Sequence, residues 1–321
     1  MTAAAGTERA SVGIDLGASK ANIGVLDDSG TILAKARLDI RARKRDTSGT
    51  AELICAEAAR IMAEAGVGPA DVGFIGMGVP GTIDPNANLI VFAPNLGWRD
   101  VSVDSVFEKL LGRRPVLVQD ARAAALAEYL QGAGVGAQVA VCLTLGTGIG
   151  CGIIMGGRIY GGAFNTAGEI GHVVVEQDGE PCQCGQRGCL EAYASGTAIV
   201  RAARNVEAWS GRGSIDKAEV VFERAAAGDL EARRIIDRAV RYLGMGIVSI
   251  VNMLSPDVVI ISGGMCEQEA LLVSPVREYV TRRAYGAAVR PGAFRLEKAR
   301  LGEDAPMIGA ALLYHGLNDR A

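Results

Sequence analysis

The sequence predicts an α/β protein of two related lobes. Strand triplets followed by helices occur twice, at about residues 11–65 and 139–200. No low-complexity segment or long linker separates the two blocks, so the lobes are expected to share a cleft, where ligands commonly bind. At 321 residues the chain is long enough to bury two cores of ordinary size.

The first block opens with Ser11 to Leu26, which runs apolar into Gly17-Ala18-Ser19 and out again. It reads as strand, tight turn and strand, joined through Asp27-Asp28-Ser29-Gly30 to a third strand over Thr31 to Asp39. Thr50 to Ala65 has helical spacing of Leu53, Ala56, Ile61 and Met62. Val72 to Met77 is a short buried strand, followed by a loop-rich stretch, Gly78 to Trp98, holding three of the ten prolines. Val116 to Val118 is a strand feeding a helix over Asp120 to Gln131. In the second block, Val139 to Leu145 and Gly152 to Met155 form a hairpin through Gly146-Thr147-Gly148-Ile149-Gly150. Gly156 to Cys189 reads as irregular, and the chain then turns helical to about Leu254. Val258 to Ser262 is a buried strand closed by Gly263-Gly264, and Ile308 to Leu317 is a last amphipathic helix.

Composition excludes several classes. With 33 Lys+Arg against 36 Asp+Glu the net charge is −3, and the only basic run, Arg41 to Arg45, reads as a solvated loop. A nucleic-acid partner is therefore not expected. The most apolar segment, Leu243 to Leu254, is far short of the ~20 residues of a membrane span. Met1 to Ala10 lacks the apolar core of a signal peptide, so a cytoplasmic protein is expected. Cys55, Cys142, Cys151 and Cys266 are dispersed among apolar residues and read as small buried hydrophobes.

Two glycine patterns carry no nucleotide signal of the familiar kinds. No lysine follows a glycine, as a P-loop would require. Gly76-Met77-Gly78-Val79-Pro80-Gly81 fits G-x-G-x-x-G, but a turn, Thr82-Ile83-Asp84-Pro85-Asn86, follows where a dinucleotide site needs a helix. Three other turns are better candidates for phosphate. Asp15-Leu16-Gly17-Ala18-Ser19-Lys20 sets a carboxylate at a strand end, then backbone N–H and hydroxyl groups. Gly146-Thr147-Gly148 and Ser262-Gly263-Gly264 likewise follow strands and allow close approach of the main chain to a charged group.

The remaining three cysteines stand in His172-x9-Cys182-x-Cys184-x4-Cys189. One imidazole and three thiolates make a closed tetrahedral Zn²⁺ site of the structural type, and Pro181, Gly185 and Gly188 suit a tight knuckle. A second ring nitrogen on His172 is left to meet a hydroxyl. Asp120, at the mouth of a helix, reads either as an N-cap or as a general base whose ionised form the helix start favours.

The order of these motifs resembles the ROK family of bacterial sugar kinases and sugar-responsive repressors over essentially the whole chain. The resemblance is carried by Asp15–Lys20, Val79-Pro80-Gly81, Asn95-Leu96-Gly97-Trp98, Asp120 with Ala123–Glu128, Leu145–Gly150, Gly168-Glu169-Ile170-Gly171-His172, Cys182–Glu191 and Ser262–Gly264. It implies an actin-like, ribonuclease H-like fold of two lobes with a cleft between them. The small lobe would span residues 1–118 completed by 303–321, and the large lobe residues 119–302 with the zinc-binding loop.

The resemblance further implies an ATP-dependent kinase acting on a primary, 6-position hydroxyl of a hexose, with Asp120 as base. Asp15, Gly17, Ser19, Lys20, Gly146, Thr147 and Gly148 would hold ATP phosphates, Asp15 helping to position Mg²⁺. Gly263 and Gly264 would lie near the adenosine. Asn95, Gln119, Asp120, Glu169, His172 and Glu191 would line the sugar pocket, and His172, Cys182, Cys184 and Cys189 would hold structural zinc. Family members are often dimers or tetramers, so a homodimer or homotetramer is expected.

The motif at the base usually reads Asn-Asp-Ala-Asn, whereas here it is Gln119-Asp120-Ala121-Arg122. A longer amide and a new guanidinium point to a modified acceptor: an amino sugar such as kanosamine, glucosamine or N-acetylmannosamine, or a C7-cyclitol. Only 14 residues precede Asp15, too few for the DNA-binding domain of a repressor, so that architecture is not expected, and a non-catalytic sugar sensor would have no reason to retain Asp120.

Overall fold

The computed structural model describes residues 10–206, 209, 215–285, 290, 292 and 294–316. Part of the expected N-terminal tail and the last residues of the terminal helix lie outside them. The chain divides into two compact units, Met1–Gln131 with Gly157–Ala167 and Glu303–Ala321, and Gly132–Gly156 with Gly168–Gly302. This differs from the sequence reading, which placed Gln119–Gln131 and residues 157–167 in the large lobe. The physical reason is that the alanine-rich helix starting at Asp120 packs on the C-terminal helix of the first unit.

In the first unit, β1 (Ala10–Leu16), β2 (Lys20–Leu26) and β3 (Ile32–Asp39) lead into α1 (Thr47–Glu64). They are followed by β4 (Val72–Val79), β5 (Thr82–Asp84), β6 (Leu89–Ala93), β7 (Trp98–Val101), α2 (Asp104–Leu111), β8 (Val116–Gln119) and α3 (Asp120–Gln131). The second unit holds β9 (Val139–Leu145) and β10 (Ile149–Met155); the short β11 (Arg158–Ile159) belongs to the first. Next come α4 (Glu191–Ala194), α5 (Gly196–Arg204), α6 (Ala218–Ala226), α7 (Leu230–Leu254), β12 (Val258–Ser262), α8 (Ser274–Arg283) and β13 (Arg295–Lys298). The first unit ends with α9 (Ala305–Ala311) and α10 (Leu313–Gly316).

The first sheet runs β3-β2-β1-β4-β8, antiparallel through β3-β2-β1 and parallel through β1-β4-β8. In the second unit the order β10-β9-β12-β13 repeats that scheme, an antiparallel hairpin followed by two parallel strands. The duplication read from the sequence is therefore one of topology, and it places Gly17–Ser19 and Gly146–Gly148 at equivalent hairpin turns. The fold is the actin-like one of two related α/β units.

Each unit has its own core. Val12, Ile14, Leu16, Ile23, Ile54 and Ile75 are fully buried in the first, and Val141, Leu143, Ile236, Leu243, Val259 and Ile261 in the second. In the first unit α9 packs so closely that two sheet positions must lack a side chain. A Cβ on Gly13 would lie 2.1 Å from the Met307 carbonyl oxygen, and one on Gly76 1.9 Å from that of Ala310.

Two elements were not legible. The loop-rich stretch Gly78 to Trp98 contains most of a small antiparallel sheet, β5-β6-β7, whose strands of 3–5 residues are too short to display alternation. The charged β13, Arg-Leu-Glu-Lys, has no apolar run to announce it and is drawn into the sheet by pairing with β12. At the other margin, β8 closes the first sheet, and the Asn88 amide caps it. Its Nδ2 donates to the Pro115 carbonyl at 2.8 Å, and its Oδ1 accepts from the Leu117 N–H at 3.1 Å. Among the described residues no helix is long and apolar enough to cross a membrane.

Candidate active site and metal centre

In the first unit the turn between β1 and β2 is closed by the Gly17 N–H donating to the Lys20 carbonyl at 2.8 Å. Ala18 and Ser19 are exposed at its tip, and Lys20 pairs with Glu303 at 3.2 Å. Asp15 sits just below, half-buried, with one carboxylate oxygen accepting from Asn22 Nδ2 at 3.0 Å. Burial pushes its pKa up to about 6, against the downward pull of Asn22 and Lys20. Sequence reasoning passed over Asn22. Hairpin arithmetic could have found it, because Asp15 and Asn22 face each other in the register.

Asp120 begins α3 directly after β8, half-buried, and its Oδ1 accepts from the Ala121 N–H at 2.7 Å. The bond is to the next residue's N–H, so Asp120 stands in the first turn of α3 rather than capping it, at the end of the helix where the backbone dipole is positive. Gln119, the last residue of β8, is also half-buried, and Asn95 is exposed in the β6–β7 turn. That turn is anchored by buried Leu96 and by Trp98, whose indole N–H donates to the Lys44 carbonyl at 2.6 Å.

Arg122 corrects one expectation. It was read as a guanidinium offered to the acceptor, but it is 4% exposed and turned onto its own unit. It donates to Asn165 Oδ1 and to the carbonyls of Asn165 and Ala167, at 3.0 and 2.9 Å. A fork spent on these oxygens does not present itself to a sugar.

In the second unit the structure brings two of the glycine turns together. Gly146-Thr147-Gly148 caps the β9–β10 hairpin, with the Gly146 N–H donating to the Gly148 carbonyl at 3.0 Å. Gly263 has φ 85°, and a Cβ there would lie 2.3 Å from the Leu145 carbonyl oxygen, one residue before the first turn. The β12 turn is thus laid on the end of β9. A Cβ on Gly146 or Gly264 would meet open space, so both main chains are approachable.

Glu191 ties this turn to the segment after it. Its Oε2 accepts from the Ile149 N–H at 2.8 Å, and a Cβ on Gly148 would stand 2.3 Å from the same oxygen. Glu169 is exposed, one residue before the single helical turn Ile170–His172. Gly168 (φ 93°) and Gly171 let this stretch lie on β10: a Cβ would be 2.8 Å from the Cys151 carbonyl oxygen and 2.6 Å from that of Ile149, respectively.

The four expected metal ligands converge. The ligand atoms of His172, Cys182, Cys184 and Cys189 all lie within 4.8 Å of one another. Cys184 Sγ is 3.7 Å from Cys189 Sγ, and Cys182 Sγ is 3.7 Å from His172 Nδ1. Tetrahedral zinc with Zn–S bonds of ~2.3 Å has S···S edges of about 3.8 Å, so the donor set fits that ion in type and spacing. Glycines shape the knuckle, with Gly185 at φ 90° and Gly188 at φ 76°. It rests on α7 through the Glu180 N–H donating to the Tyr193 hydroxyl at 2.7 Å, Tyr193 stacked on Tyr242, and the Tyr242 hydroxyl donating to Glu176. His172 would meet the metal through Nδ1, leaving Nε2 to another partner.

The chain is similar to known proteins over nearly its whole length. The chain is 35% identical over 310 residues to the glucokinase of Thermotoga maritima, covering 94% of this chain and 95% of that one. The solved structure of a ROK family glucokinase from Streptomyces griseus, in complex with glucose and AMPPNP, matches with a TM-score of 0.79 at 34% identity, covering 95% and 98% of the two chains. The xylose repressor of Bacillus subtilis is 28% identical, covering 93% of this chain and 75% of its own. The family model described as ROK family matches residues 11–316, and the chain belongs to the ROK family.

Proposed function

We propose that the chain is an ATP-dependent sugar phosphotransferase of the glucokinase type, with Asp120 as general base. The observation that carries this reading is a carboxylate at the first turn of α3, held by the Ala121 N–H, in a chain similar end to end to named glucokinases. Asp120 takes the proton of the acceptor hydroxyl, that oxygen bonds the γ-phosphorus, and ADP leaves with the electrons of the broken P–O bond. Gly17, Ser19, Lys20, Gly146, Thr147 and Gly148 are the residues of this reading that offer N–H, hydroxyl and ammonium groups to phosphate oxygens. Gly263 and Gly264 take the adenosine side. Asp15 would help to hold Mg²⁺, which when bound neutralises charge on the phosphates. Zinc, on His172, Cys182, Cys184 and Cys189, would order the knuckle rather than enter the chemistry.

Asn95, Gln119, Glu169, His172 and Glu191 make up the acceptor contacts of this reading. Gln119, where the resembled pattern has Asn, favours an acceptor other than glucose, an amino sugar or cyclitol among them. With Arg122 engaged elsewhere, the amide carries that argument alone. A homodimer or homotetramer working in the cytoplasm without nucleic acid belongs to the same proposal, and sedimentation tests its oligomeric part.

The test is coupled ADP release with ATP or polyphosphate over hexoses, amino sugars and cyclitols, with a no-sugar control. Sugar-dependent release is expected, and Asp120→Asn should lower turnover by ~10²–10⁴ because an amide keeps the size of the side chain and can still accept from the Ala121 N–H but cannot take the proton. No release above the control, or a fully active Asp120→Asn, overturns the reading. Glucose far ahead of every other acceptor overturns the argument from Gln119.

A further inference from the structure

Residues 161–167 run along the rim of a cavity of about 690 Å³ in the first unit, lined among others by Gly161, Phe164, Asn165 and Arg122. Phe164, the one large apolar residue of the stretch, is 88% exposed and contributes no anchor. Beneath the stretch is space rather than core, so hydrogen bonds decide where it lies. Arg122 supplies three of them, to Asn165 Oδ1 and to the carbonyls of Asn165 and Ala167. Asn165, in the left-handed region at φ 55°, passes the restraint on by donating through Nδ2 to the Ile83 carbonyl at 3.0 Å. The Ala167 N–H closes the turn onto the Gly161 carbonyl at 3.0 Å.

This stretch continues without a break into Gly168, Glu169 and His172, and Arg122 stands two residues after Asp120 on the same helical turn. We infer that Arg122 is a positioning residue for sugar recognition. With Asn165 it holds residues 161–167, the stretch of its own unit that leads along the chain into Glu169 and His172, without touching the substrate. The inference rests on the reading of Glu169 and His172 as acceptor contacts. A planar fork with a fixed set of donors can satisfy a side-chain oxygen and two carbonyls at once, whereas an ammonium is a point charge on a flexible stem.

The test compares full-length wild type with Asn165→Ala, Arg122→Lys, Arg122→Ala and the Asn165→Ala/Arg122→Ala double variant, by amide hydrogen exchange and by steady-state kinetics. Exchange at residues 161–172 should rise about tenfold or more in Asn165→Ala and Arg122→Ala, with β1 and β4 unchanged. The sugar KM should rise roughly tenfold while the ATP KM stays within about twofold, since displacement of one recognition segment spares the nucleotide. The double variant should match the worse single one. Asn165→Ala leaves both carbonyl bonds of Arg122 in place, so it reports even if Arg122→Ala does not fold. Unchanged exchange at 161–172, sugar and ATP KM rising together, or additive effects would overturn the inference. A wild-type chain that phosphorylates no sugar overturns the functional reading and the inference with it, and is told apart from failure of the clamp alone by the exchange result.

Discussion

Asp15 shows how a residue proposed to bind can work against the fold that holds it. Its folded pKa of about 6 lies above the ordinary 3.8, so the native state binds more protons than the unfolded chain between those values. Stability attributable to this carboxyl therefore falls as pH rises from about 4 to 6, and the full cost of burying the charge is carried at neutral pH. Asp15→Asn should be more stable than wild type at pH 7.5, by up to ~3 kcal/mol, with the margin gone near pH 4; denaturant unfolding at several pH values measures it. A divalent cation should narrow the margin by stabilising the ionised wild-type group.

Glycines at crossings separate stability from recognition at the level of elements. On α9, a Cβ at Gly309 would lie 1.7 Å from the Ala123 carbonyl oxygen of α3, and backbone cannot swing aside. Gly309→Ala should cost more than ~2 kcal/mol in unfolding free energy, as overpacked cores do. Gly148→Ala meets only the far end of the Glu191 side chain, which can rotate away. It should cost about 1 kcal/mol or less in stability, yet steady-state kinetics should show a raised KM for ATP, whose phosphates Gly148 is proposed to meet, and for sugar, by loosening Glu191 from the Ile149 N–H. The hairpin turns at Gly17 and Gly146 were legible because two apolar runs flank a short glycine-rich turn. The metal ligands were legible because their spacing is local. Arg122 was misread because its partners, Asn165 and Ala167, lie more than 40 residues away and carry no motif. The small β5-β6-β7 sheet escaped because pairing, rather than pattern, makes such short segments strands.

For the whole molecule, two separate cores and the proposed metal centre among the described residues imply a local response to metal loss. His172, Cys182, Cys184 and Cys189, the proposed zinc ligands, all belong to the second unit, and the knuckle of residues 173–189 is mostly exposed. Purified protein should carry ~1 zinc per chain, and Cys184→Ser or chelation should release it, because a tetrahedral site loses most of its affinity with a thiolate. Hydrogen exchange should then rise across residues 173–189 while the buried strands of the first unit keep their protection. The duplicated topology could be inferred from sequence because both hairpins carry the same apolar–glycine–apolar signal. The division at Gln131 could not, since it depends on α9 returning from the end of the chain to pack on α3.

The amide of Asn88 has a further bearing on how this protein behaves in a crowded solution. By occupying one carbonyl and one N–H at the outer side of β8, it denies an incoming segment the first rung it would need to extend the sheet. Asn88→Ala should leave that rung vacant, and its earliest sign should be turbidity on gentle warming at high protein concentration, ahead of any loss of helical signal.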